Sequence, residues 1–143
     1  MHIAQLNIAE AKDHMESETM KDFVANTDRI NALAEAHPGF IWRLVGEDSN
    51  DSYDMELWDS PFIITNMSVW KDRESLFDYV YNTAHVEILK RKKEWFHKMP
   101  RMHMVLWYVK EGHIPTITEA KEHLQHLHTH GESEYAFTFK SKF

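Results

Sequence analysis

The stretch Asn66-Met-Ser-Val-Trp70-Lys-Asp-Arg-Glu-Ser-Leu-Phe-Asp-Tyr79 changes its period part-way along. Up to Trp70 the side chains alternate, with Asn66 and Ser68 in step with Trp70, which is the two-residue repeat of a strand. Beyond Asp72, a good helix N-cap, Leu76, Phe77, Val80 and Tyr81 recur at helical spacing. A strand with polar and aromatic residues on one face therefore runs straight into an amphipathic helix, and that face is expected to line a pocket.

Upstream, positions 2–9 alternate as a strand, with Ala4, Leu6 and Ile8 on one side and Ile3, Gln5 and Asn7 on the other. From about 18 to 36, Met20, Phe23, Val24, Thr27, Ile30, Leu33 and Ala34 mark a helix that His37-Pro38-Gly39 stops. Residues 40–45 read as a second strand. The acidic segment 47–61 reads as a long loop closed by Ser60-Pro61. After the third strand and its helix, Val86, Leu89, Trp95 and Phe96 carry a further helical segment up to Pro100, and 102–109 is a fourth strand. The capping box Thr116-Ile-Thr-Glu119 starts a last helix with the stripe Ile117, Ala120, Leu124 and Leu127, ended by Gly131. Residues 135–139 could add an edge strand. The order is βαββαβ, a ferredoxin-like α+β arrangement with a core over about 2–110 and a C-terminal helix and tail over 115–143, read as one domain of 143 residues.

Two helices on a four-stranded sheet cover one face only, and the candidate free faces carry Trp42 or Arg43, Met67 or Trp70, and Trp107 or Tyr108. So large an apolar surface argues for a homodimer that closes sheet against sheet. The net charge of −7 disfavours nucleic acid, and the basic run 90–93 reads as a solvated helix face. No stretch is long and apolar enough to span a bilayer, so no membrane partner is expected. The start lacks the pattern of a signal peptide, which makes the cytoplasm the expected location. The chain has no Cys and therefore no thiolate chemistry.

Gln5, Asn7, Asn66, Ser68 and His103 sit on strands among apolar neighbours. Placed on the free face together with Trp70 and Trp107, they would make an apolar cavity with a few polar groups, suited to a small apolar or aromatic ligand. The competing reading is of strand polar groups satisfied by neighbours or water. Arg43, in mid-strand, either pairs with an acid or anchors a substrate anion. His85, at a break between helical segments, is a candidate general base or haem ligand, against the alternative of a hydrogen-bonded structural residue. His123, His126 and His130 share a strip of the last helix, a pattern that suits adventitious metal binding better than a designed centre. The run Asp48–Asp54 alternates oxygen ligands as a calcium loop does, but has Tyr53 where Gly is needed.

The motif Asn66-x-Ser-Val-Trp70-x-Asp-x-Glu-Ser-Leu-x-x-Tyr79 followed by Ala84-His85, with Arg29-Ile-Asn-Ala-Leu33 and His37-Pro-Gly-Phe40, resembles the dimeric α+β barrel superfamily that includes the antibiotic-biosynthesis monooxygenases. Within it the chain looks closest to a bacterial family of unknown function. The resemblance implies a cofactor-free monooxygenase that stabilises the deprotonated form of an electron-rich aromatic, which itself donates an electron to oxygen. His85, His103 and Asn66 would then be catalytic, and Gln5, Asn7, Trp42, Arg43, Ser68, Trp70, Tyr79 and Trp107 would line the substrate site. The superfamily also offers a haem-degrading alternative, with Asn7 matching in kind, His85 as iron ligand and Tyr79 standing where a Trp is expected, and a plain ligand-binding or stress-response alternative.

Overall fold

A computed structural model describes residues 1–45, 58, 60, 62–99 and 101–143. The acidic segment and the calcium-like run Asp48–Asp54 lie outside the described residues, except for Trp58 and Ser60. The elements are β1 (His2–Ala11), α1 (Lys21–Ala36), β2 (Phe40–Arg43), β3 (Ile63–Trp70), α2 (Arg73–Asn82), α3 (His85–Lys90), α4 (Lys92–Trp95), β4 (Phe96–His97), β5 (Met104–Val109) and α5 (Ile117–His130). This is the expected ferredoxin-like order with a C-terminal helix. The short β4 was not foreseen; it takes up the end of what reads in sequence as a helix running to Pro100.

The sheet is antiparallel, in the order β2-β3-β1, with β5 and β4 sharing the far side of β1. Its centre, β1, pairs Ile3 with Trp70 and Tyr108, Gln5 with Ser68 and Leu106, and Asn7 with Asn66 and Met104. Because strand side chains alternate, these rungs lie on one face and the intervening Ala4, Leu6 and Ile8 on the other. A register shift between Phe40 and Trp42 turns Arg43 to the same face as its partner Ser68.

On the first face α1 and α2 bring Ile30, Leu33, Ala34, Leu76, Tyr79 and Val80 against Ile3, Phe40, Trp70 and Leu106. Asp72 caps α2 by accepting from Ser75 N–H at 2.8 Å. Gly39 is required just before β2 because a Cβ there would stand 2.2 Å from the Cβ of Ser75. The stripe of α5 packs on the second face, with Ala120, Leu124 and Leu127 against Leu6, Val105 and Trp107. Thr116 caps that helix through Glu119 N–H at 3.1 Å, and Gly131 ends it at φ 77°.

The expected free sheet face is not found. The sheet face without α1 and α2 is not bare, since α5 of the same chain lies on it, and Trp42, Leu44 and Trp58 close in beside it. Residues 135–139 contribute a single bridge, Leu106 with Phe137, rather than a full edge strand. That tail is held by Arg73 of α2, which donates to the carbonyls of Phe139 at 2.5 Å and Ser141 at 2.7 Å.

Candidate functional site

Along the helix-covered face two apolar clusters stand apart. One joins Ile3, Trp70, Leu76, Tyr79, Leu106 and Phe137. The other, at the far end of β1, joins Ala11, Met20 and Trp95 with Phe23, Ile88 and Phe96. Between them on the central strand and its neighbour, Asn7 and Asn66 sit side by side and are exposed, flanked by partly buried Ala9, Ile64 and Met104. A central strand under a helix layer would ordinarily be covered there. The helix α1 touches both clusters, through Ile30 and Leu33 at one end and Phe23 at the other. Two exposed carboxamides between two apolar clusters, beside Ile64 and Met104, mark this place as the candidate ligand slot.

The polar groups of this face are linked. Trp70 Nε1 donates to Ser68 Oγ at 2.8 Å; Gln5 Nε2 donates to the same oxygen at 2.8 Å and to Asn66 Oδ1 at 2.6 Å. Trp70 continues the contact outward, with Tyr79 stacked on it at 4.9 Å and 26°, and His85 lying 4.9 Å beyond Tyr79. The Tyr79 hydroxyl donates to Ile30 O at 3.2 Å, and burial pushes its pKa well above the ordinary phenol value. Tyr79 is therefore a neutral wall residue.

His85 opens α3 and packs against Tyr79 of the first cluster, while Ile88 of the same helix belongs to the second. The His85 Nδ1 lies 3.2 Å from Val80 O, and since a carbonyl can only accept, the proton sits on Nδ1. That leaves the Nε2 lone pair available. Burial lowers the His85 pKa, with the Val80 bond opposing, and the neutral form needed by a base is favoured. Arg43 faces the slot side but is paired with Glu35 at 3.1 Å.

Gln5, Asn7, Ser68, Asn66, Trp70 and Arg43 thus share one sheet face, with Tyr79 stacked on Trp70 and His85 packed against Tyr79. Placing them on an uncovered face was an error of side, because the sequence fixes which residues alternate together but not which set the helices cover. Trp42 and Trp107 are not brought to them. Trp107 pairs with Ala4, one step out of phase with Ile3 and Trp70, and packs under α5 with its Nε1 unpartnered. His103 precedes β5 in step with Val105 and Trp107; its carbonyl accepts from Ile8 N–H at 2.9 Å, and burial and Lys92 lower its pKa. Sequence reasoning did not include Ile64 and Met104 in the floor, although they are the apolar neighbours that the alternation through Asn66 and Leu106 implies.

On α5, His123 is sandwiched between Trp107 at 4.6 Å and Tyr135 at 4.1 Å, and His126 lies 4.6 Å from His130. Among the described residues no group of three His, Asp or Glu could hold a metal ion. Two open concavities, one along α5 beside Trp58 and one between Met1 and Trp107, hold neither Asn66 nor His85. Tyr79, itself stacked on Trp70, packs against the His85 ring.

The match to known proteins agrees with this architecture. A family model described as Domain of unknown function (DUF3291) matches residues 2–143. The chain belongs to this family. DUF3291 carries no assigned reaction, and comparison with the curated proteins found no match. Among solved structures the chain is similar to a conserved protein from Methanosarcina mazei Go1, at 20% identity and a TM-score of 0.58 over 77% of this chain and 94% of that one. It is also similar to SnoaB, a cofactor-independent oxygenase from Streptomyces nogalater, at 12% identity and a TM-score of 0.53 over 77% and 94% of the two chains. A protein of unknown function from Nitrosomonas europaea matches at 15% identity and 0.53 over 80% and 95%. At these identities the likeness is one of fold, and it meets the expected resemblance to the monooxygenase-like α+β proteins.

Proposed function

We propose that this DUF3291 protein binds a small apolar aromatic in the slot between the two clusters and oxidises it without a cofactor, as a monooxygenase. The observation that carries the reading is the pair Asn7 and Asn66, exposed on a central rung of the helix-covered face. Exposed carboxamides with apolar neighbours are the make-up of a ligand site rather than of a packed layer. The fold shared with a cofactor-independent oxygenase raises the prior for this chemistry and does not by itself assign it.

In this reading the carboxamides hold the substrate oxygen, and His85 Nε2 accepts the proton that leaves on ionisation. The resulting anion supplies the electron to dioxygen. One oxygen atom then ends as a new carbonyl, while the other leaves as water with the two hydrogens of the oxidised carbon. Trp70 and Tyr79 keep one wall apolar, which strengthens the electrostatic hold on the anion. Arg43, on the slot side, is held in an ion pair with Glu35.

A homodimer belongs to the same proposal. Its support is the outer edge of β2, where Ile41 and Val45 are exposed, since α5 already occupies much of the opposite sheet face. Oxygen uptake with an anthrone tests the function. Asn66→Ala and His85→Ala are each expected to lower turnover about a hundredfold at near-native melting temperature. An anthrone that binds in the slot without oxygen uptake would make the protein a ligand-binding module instead.

A further inference from the structure

The four side chains that connect Trp70 to Asn66 form a hydrogen-bond chain with a direction. An indole N–H only donates, so Ser68 Oγ accepts from Trp70 at 2.8 Å. Gln5 Nε2 then spends one proton on Ser68 Oγ and the other on Asn66 Oδ1. A carboxamide nitrogen has two protons, and both are used. Asn66 thus turns its oxygen inward toward Gln5, which leaves its Nδ2 group for the exposed side of the residue. The directing residues are buried, Gln5 at 8% and Ser68 at 7% exposure, while the residue they direct is exposed.

We infer that Gln5 is a positioning residue that holds the Asn66 carboxamide with its two N–H donors facing the slot, so that the site selects ligands presenting an oxygen acceptor, a phenolate or enolate, over ligands presenting an O–H donor. The inference rests on the slot being a ligand site, and it adds the polarity of that site and the residue that sets it. The competing arrangement has every amide reversed. Ser68 O–H and Asn66 Nδ2 would both donate to Gln5 Oε1, Asn66 would offer Oδ1 to the slot, and the site would favour the neutral phenol.

Two measurements separate these arrangements. In the unsubstituted protein, hydrogen exchange of side-chain amides followed by NMR should find the Gln5 amide protons slow and those of Asn66 fast. Slow Asn66 protons beside fast Gln5 protons would overturn the inference. In the second measurement 4-nitrophenol, whose ionised form alone is yellow, is titrated in parallel with nitrobenzene, which has no proton to lose. The native protein should bind the phenolate at least tenfold more tightly than the neutral phenol, and Gln5→Met should erase most of that preference. Gln5→Glu, close in shape and acceptor only, should weaken phenolate binding and also raise affinity for the neutral phenol, an effect that added negative charge alone does not produce. Nitrobenzene should bind all three proteins alike. Nitrobenzene binding with no preference for phenolate in the native protein, or a preference unaltered in Gln5→Met, would overturn the role of Gln5 alone. Binding of neither probe would overturn the ligand-site reading and this inference with it.

Discussion

The two faces of one sheet are built from alternate residues of the same strands, yet they do opposite work. Under α5 the layer is closed, with Ala4, Leu6, Val69, Val105 and Trp107 all buried, and Trp107 Nε1 and His126 Nδ1 are the buried side-chain nitrogens left unpartnered among the described residues. Under α1 and α2 the layer is split, and polar groups fill the gap between two apolar clusters. In the proposed reading, stability is concentrated where packing is continuous, and ligand binding where it is interrupted. That polar groups persist in the middle of an otherwise foldable face is the pattern expected of a functional site.

The largest effect expected is at the anchor between the two kinds of surface. Trp70 is fully buried, and Trp70→Ala should cost about 3–5 kcal/mol in urea unfolding. Leu124→Ala, on the closed face, should cost about 2–5 kcal/mol and leave the affinity for nitrobenzene unchanged. A loss of affinity in the Leu124 variant would break the division of labour between the faces.

Gly39→Ala tests how tightly the split layer is set, because the new methyl meets Ser75 at the start of α2. A loss of about 1–3 kcal/mol is expected from differential scanning calorimetry, and an unchanged melting temperature would show that α2 can shift freely over the sheet.

Acid sharpens the comparison. Burial lowers the pKa of His85 on one face and of His123 on the other. In the unfolded chain such groups take up a proton at about pH 6.5, while the folded protein resists until lower pH. Below that value the unfolded state binds more protons, so stability is full above it and falls as the pH drops, levelling off once the folded groups protonate too. His85→Gln should reduce this slope, and kcat/KM for an anthrone should rise with pH through a midpoint below the ordinary imidazole value. A midpoint above it would remove His85 as the base.

The smallest stability change is expected at Asn66. Its side chain is exposed, but Asn66→Ala leaves the buried Gln5 Nε2 one acceptor short, so a loss of about 1 kcal/mol is expected while phenolate affinity falls.

Much of this was legible from residue order. Asn66, Ser68 and Trp70 do share a face, Asp72 and Thr116 are caps, and the stripe of α5 is buried as its spacing implied. What stayed hidden depends on contacts distant in sequence. Alternation says that Ile3 and Ala4 point to opposite sides, but only the register that sets Trp70 against Ile3 and Trp107 against Ala4 separates the two indoles. The shift between Phe40 and Trp42 likewise decides that Arg43, and not Trp42, faces the polar strip. The place of α5 could not be read either, because its stripe would suit any apolar surface, including a partner's.

Mapping amide shift changes in a 15N-labelled sample as nitrobenzene is added tests most directly where a ligand sits. The changes should gather at Asn7, Ile64, Asn66, His85 and Met104 and leave Leu6, Val105, Trp107 and Leu124 unmoved. Changes centred on Trp107, His123 and α5 would place the ligand on the closed face and contradict the proposed slot.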